Sequence, residues 1–166
     1  MTDITLCQNI ARAFWKVGKE CNDTSRDAQY QTETFPEPYS SDDGNFDYTF
    51  YNIPAIVNLA LSCELYLKGL LLRELSEEQL AKTHDLKILY DKLSDEQRET
   101  ASTWFSEHIK YDVLLEDTMK THAKSFQSWR YVYERRNISS KAYTDNLQLA
   151  AEAIRYLYFR KGEKHA

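Results

Sequence analysis

Apolar side chains recur at spacings of three and four over residues 4–21, through Ile10, Ala13, Phe14, Val17 and Cys21. That spacing predicts a helix with those five residues on its buried face. Residues 22–53 break the pattern with Asp, Ser, Thr, Pro36, Pro38 and Gly44, yet keep Tyr30, Phe35, Tyr39, Phe46, Tyr48, Phe50 and Tyr51. A disordered linker is poor in aromatics. The stretch therefore reads as a long loop, with at most a short helical turn, packed on the domain or on a second subunit. Pro54 suits the first turn of a helix, and an apolar run follows to about Leu75. Ile56, Leu59, Cys63, Leu67 and Leu70 form one face and Val57, Leu61, Leu65 and Leu72 the next. Such a helix is buried nearly all round.

Beyond a polar interval, residues 84–93 give a short amphipathic helix through Leu86, Leu89, Tyr90 and Leu93. Ser94 and Gln97 have the spacing of a capping box opening the next helix, whose apolar cover runs through Trp104, Phe105, Ile109 and Leu114. The final helix is expected from about Thr144 through Leu147, Ala150, Ala151, Ile154, Leu157 and Tyr158. It ends in Arg160, Lys161 and Gly162, since basic residues followed by Gly suit a helix C-terminus. With four glycines, three prolines all before residue 55, and few alternating runs, the fold class is all-α: a bundle of about five or six helices in one domain over 1–166.

A chain of 166 residues can bury close to ~70% of its unfolded surface, enough for a real core. Its net charge of -5 excludes a global positive field, so any phosphate binding must be local. Cys7, Cys21 and Cys63 are odd in number and lack a CxxC pair, which reads as reduced core thiols. The acidic N-terminus is unlike a signal peptide, and no run approaches ~18 uninterrupted apolar residues. A cytoplasmic protein without a membrane partner is the expectation.

Phosphate-binding loops, dinucleotide glycine fingerprints, nucleophile elbows and HExxH motifs are absent from the sequence. The four histidines, His84, His108, His122 and His165, are scattered, whereas a metal site needs converging ligands. Neither a metal nor another cofactor is expected.

Two features carry a family resemblance. The run SCELYLKGLLLRE followed by KTHDLKILYDKL resembles the long second helix and the following His-Asx-Leu helix start of HEPN domains, helical domains of prokaryotic defence and toxin systems. The similarity covers roughly residues 54–160. The second feature is Arg136-Asn137-Ile138-Ser139-Ser140-Lys141-Ala142-Tyr143, which is similar to the Arg, Asn and later His of ribonuclease members of that family. Arg136, Asn137 and Tyr143 match; Lys141 stands where the His would be. A second register, in which Arg130 is the family arginine, also leaves no following His.

The resemblance implies a homodimer handling RNA or a nucleotide at the cleft between subunits, as a variant, metal-independent ribonuclease of defence or toxin–antitoxin type. Catalytic candidates are Arg136, Lys141 and Tyr143. Arg130, Arg135, Arg136 and Asn137 would contact phosphate or RNA, with Glu64, Lys68 and His84 as supporting polar residues. Histidine suits proton abstraction because its ordinary pKa is ~6.5, whereas lysine at ~10.4 holds a phosphate but is a poor base. The other reading is a non-catalytic helical module that dimerises or binds a partner protein such as a nucleotidyltransferase. The residues themselves also admit plainer roles. Glu64 and Lys68 read as a partly buried ion pair at i, i+4, His84 as a cap at the start of its helix, and Trp129, Tyr131 and Tyr133 as core or interface aromatics. An aromatic content of 13% exceeds what the core of such a domain requires, which also points to an interface.

Overall fold

In the computed structural model, which describes residues 4–34, 52–76, 82–130 and 144–160, the apolar run around Pro54 is a central, largely buried helix of the bundle. The order is α1 (Ile4–Thr34), α2 (Asn52–Leu71), α3 (Leu86–Asp91), α4 (Asp95–His108), α5 (Leu115–Thr121), α6 (Ser125–Arg130) and α7 (Thr144–Arg160). The expected all-α bundle is present; α3, α5 and α6 are pieces of six or seven residues linking the longer helices.

Pro54 lies in the first turn of α2, and the helix is buried on nearly every side through Ala55, Ile56, Leu59, Ala60, Cys63, Tyr66, Leu67, Leu70 and Leu71. Among the described residues it alone is long and apolar enough to cross a membrane, with a mean hydropathy of 1.3 over Ile53–Leu71, and 61% of that window is buried inside the bundle. Here it serves as the core. α1 runs antiparallel to it, Ala11 meeting Ser62 and Gly18 meeting Leu59. α7 is antiparallel to α1, with Asp145 against Asn22 and Arg155 against Trp15.

α1 corrects two expectations. It does not stop near residue 21 but continues to Thr34, into the stretch read as a loop; residues 35–51, the remainder of that stretch, lie outside the described residues. No Pro interrupts the chain until Pro36. Lys19 and Arg26 both pair with Asp23 along the helix, and Asn22 is tied by its amide to Asp145 Oδ1 and Gln148 Oε1, each at 2.8 Å.

Its buried face is also a different one. Ala11, Gly18, Asn22 and Ser25 face inward, while Ile10 and Val17 remain 39% and 46% exposed. The reason is close approach. A Cβ on Gly18 would lie 2.8 Å from Leu59 Cγ and 2.9 Å from the Leu59 backbone N, so only a glycine lets α1 settle there. Ser62 Oγ donates to the Ala11 carbonyl at 2.9 Å across the same contact. Small residues win the interface by admitting backbone to backbone; of the expected face, Phe14 and Cys21 are half-buried and Ile10, Ala13 and Val17 are turned outward.

The caps behave as their chemistry requires. Ser94 and Gln97 form the expected capping box of α4, and the Gln97 amide also donates to Glu74 Oε1 at 3.0 Å. At α3 the cap is Asp85, which accepts from the backbone N–H groups of Lys87 and Ile88. His84, expected to cap or orient the start of that helix, makes its contact with Glu64 of α2.

Candidate functional site

Glu64 projects from the middle of α2 and is 2% exposed. A carboxylate buried to that degree requires partners. It has two. Lys68, one turn along α2, donates to Oε1 at 2.7 Å, and His84, just before α3, brings Nδ1 to 2.9 Å from Oε1 and 3.0 Å from Oε2. Phe126 of α6 packs its ring 5.4 Å from the His84 imidazole. The expected Glu64–Lys68 ion pair is therefore present, and His84 takes the same carboxylate in place of a helix end. The side chains of Lys68 and His84 stay 20% and 46% exposed, so their outer sides reach water. This grouping clamps α2 to the start of α3.

The residues proposed for phosphate and catalysis, Arg135, Arg136, Asn137, Lys141 and Tyr143, fall outside the described residues, as do Tyr131 and Tyr133. Arg130 is the last residue of α6. The helices on either side of this segment, α6 and α7, both pack on α2. Among the described residues no group of three His, Cys, Asp or Glu converges as metal ligands would.

A second polar grouping, on the other side of α2, escapes a reading of the sequence. Tyr66 is fully buried; its hydroxyl takes a hydrogen bond from the Arg155 guanidinium and finds no acceptor for its own proton, while the hydroxyl of buried Tyr158, Trp15 Nε1 and Arg155 Nε make no hydrogen bond. The rings of Tyr66 and Tyr158 lie 5.5 Å apart, and Phe159 stands 6.3 Å from Tyr66. The Arg155 guanidinium lies 4.5 Å over the Trp15 ring and 5.5 Å from that of Phe159, contacts of the cation–π kind. Arg73 covers the outer face of Tyr158 at 4.1 Å and donates to its carbonyl. Burial pushes the Tyr66 phenol above its ordinary range, an effect partly offset by the guanidiniums of Arg155 and Arg12. Among the described residues no carboxylate comes within ion-pair distance of Arg12, Arg73 or Arg155.

A third feature is a cleft of about 450 Å³ between α3, α4 and the start of α5, lined by Tyr90, Arg98, Ser102, Phe105 and Leu115. Tyr90 and Ser102 share a hydrogen bond at 3.0 Å on its wall. Burial raises the Tyr90 phenol, and the bond to Ser102 works in the opposite sense.

No family model, no curated protein and no solved structure matches this chain. Functional readings accordingly rest on its own residues.

Proposed function

We propose that this chain is a HEPN-like domain handling RNA or a nucleotide at a cleft between two subunits, as a variant or attenuated metal-independent ribonuclease of defence or toxin–antitoxin type. The observation that supports this reading is the contact between His84 and Glu64. It joins in space the two runs of the first resembling feature, SCELYLKGLLLRE on α2 and KTHDLKILYDKL opening α3, through one polar residue of each.

In this reading Arg136 holds a phosphate, for which the forked guanidinium is suited. Asn137 orients it, and Lys141 and Tyr143 line the cleft. Lysine is protonated at neutral pH and contributes charge rather than base catalysis. The test is cleavage of a labelled RNA by wild type, Lys141→His, and Lys141→His combined with Arg136→Ala. Lys141→His should raise the rate by ~10²–10⁴, the usual scale of a positioned base, and the double variant should lose that gain. Cleavage should persist in EDTA. No gain in a folded Lys141→His protein removes the catalytic reading.

The second reading, a non-catalytic module that dimerises or binds a protein such as a nucleotidyltransferase, is favoured by one observation. The outward face of α1 carries Ile10 and Val17, large apolar side chains two helical turns apart that the fold leaves uncovered. Exposed apolar stripes of this kind serve association. Both readings include a homodimer, and light scattering that finds a monomer at micromolar concentration speaks against both.

A further inference from the structure

Three helices contribute to the grouping around Tyr66, and their arrangement leaves a seam. α1 and α7 each lean extensively on α2 but touch one another sparingly. Tyr66 of α2 forms the floor of the seam. Trp15 of α1 and Arg155, Tyr158 and Phe159 of α7 form its sides. Arg12, whose charge acts on Tyr66, and Phe159 are exposed, and Arg155 stacked on Trp15 bridges the seam.

The polar atoms in this seam share one property. Trp15 Nε1 and Arg155 Nε can only donate, and a tyrosine hydroxyl needs an acceptor for its proton. Trp15 Nε1, Arg155 Nε and the Tyr158 hydroxyl are buried and make no hydrogen bond, and the buried Tyr66 hydroxyl, which takes a hydrogen bond from Arg155, has no acceptor for its own proton. Buried polar groups are nearly always satisfied, and leaving one unmade costs on the order of 1–3 kcal/mol. Such a concentration of donors in one place, beside guanidiniums without carboxylates, lacks one thing, an acceptor carrying negative charge.

We propose that the seam between α1 and α7 is a binding site for a phosphate-type oxyanion, held by Arg155 and Arg12 and by the hydroxyls of Tyr66 and Tyr158, with Trp15 Nε1 as a further donor. Donors drawn from three helices surround their ligand, which suits a tetrahedral group better than a planar carboxylate lying against a single guanidinium. A water molecule satisfies hydrogen bonds but leaves the cationic charge uncompensated; a phosphate does both. Arg155 moves off the Trp15 ring to admit the anion, since it is the group that spans the opening. The proposal draws on no residue of the Arg136 segment and stands whether or not that segment handles RNA.

The test is thermal unfolding and titration calorimetry of the full chain with inorganic phosphate, against chloride at equal ionic strength, for wild type, Tyr66→Phe and Arg155→Gln. Wild type should melt roughly 3–6 °C higher at a phosphate concentration ten times its Kd. Tyr66→Phe keeps the ring and discards an unmatched hydroxyl. It should melt at or above wild type in chloride and gain less than wild type in phosphate. Arg155→Gln should weaken phosphate at least tenfold. An Arg136→Ala protein should keep the response, which separates this site from phosphate held elsewhere. Adenosine monophosphate binding as well as free phosphate identifies a nucleotide phosphate as the ligand; phosphate alone identifies the free ion. An equal melting temperature in phosphate and chloride overturns the proposal. So does a Tyr66→Phe protein that loses the same stability in both salts, because its hydroxyl is then part of the fold and not of a site.

Discussion

Glu64 and Tyr66 stand two residues apart on α2, roughly 200° around the helix, so they face opposite sides of the core. Both are buried. Around Glu64 one carboxylate accepts from Lys68 and His84, and the polar chemistry closes on itself. Around Tyr66, among the described residues, there are donors and cations, and the only acceptor in reach of the Arg155 guanidinium is the Tyr66 hydroxyl, with no carboxylate beside it. Burial is therefore a poor guide to function on this helix, whereas the balance of donors and acceptors separates its two sides. One side clamps helices together and the other remains open to a ligand.

The comparison can be broken most sharply at Glu64. Glu64→Ala leaves Lys68 and His84 facing the hole of a removed carboxylate, and breaking a buried pair costs ~3–5 kcal/mol. Both partners keep some access to water, so the lower end, about 3 kcal/mol, is expected from chemical denaturation. Tyr66→Phe in chloride should change stability far less, because its hydroxyl proton has no partner in the fold to lose.

Next in size is the α1–α2 contact. Gly18→Ala forces a Cβ onto the backbone of Leu59 and should destabilise by about 1–3 kcal/mol. Gly69→Ala meets the ring of Tyr158, 2.7 Å away, which can tilt; its cost should be smaller.

A smaller effect is expected in alkali. The phenols of Tyr66 and Tyr90 are held above their ordinary value of 10.0 in the folded chain. The unfolded chain then loses these protons first, and the stability they supply, fully present below pH 10, falls as pH rises past it. Melting temperatures between pH 9 and 11 should decline, and less steeply in Tyr66→Phe.

Smallest for the fold, though decisive for association, is Ile10→Glu with Val17→Glu. Both positions are on the exposed side of α1, so monomer stability should move by no more than about 0.5 kcal/mol. The homodimer proposed above, if this face holds it, should be lost, as followed by light scattering.

Much of this architecture was legible in the residues. The apolar run after Pro54, the Ser94 and Gln97 box and the last helix from Thr144 each carry a local signal that tertiary structure had no reason to override. α1 misled for two physical reasons. Hydrophobicity gives no weight to Ala11, Gly18, Asn22 and Ser25, whose value lies in smallness, and a polar stretch free of Pro continues a helix as readily as it leaves one. His84 sits one residue before the true cap, and only the fold reveals that Glu64 lies within its reach. The Tyr66 grouping draws Trp15, Tyr66, Arg155 and Tyr158 from three helices, so no local spacing could announce it. The ion pair of Glu64 and Lys68 was visible because it is contained within one helical turn.

The most direct measurement for the functional account is the affinity of a labelled single-stranded RNA for wild type and for Arg136→Ala, read by fluorescence anisotropy at several salt concentrations alongside each protein's melting temperature. A chain with net charge -5 has no general attraction for RNA, so binding must come from local contacts. Arg136→Ala should weaken it about tenfold or more and reduce its salt dependence by about one phosphate contact, with melting unchanged. Equal affinity in the two proteins, or a melting temperature that falls together with binding, would contradict the account and leave Arg136 a structural residue.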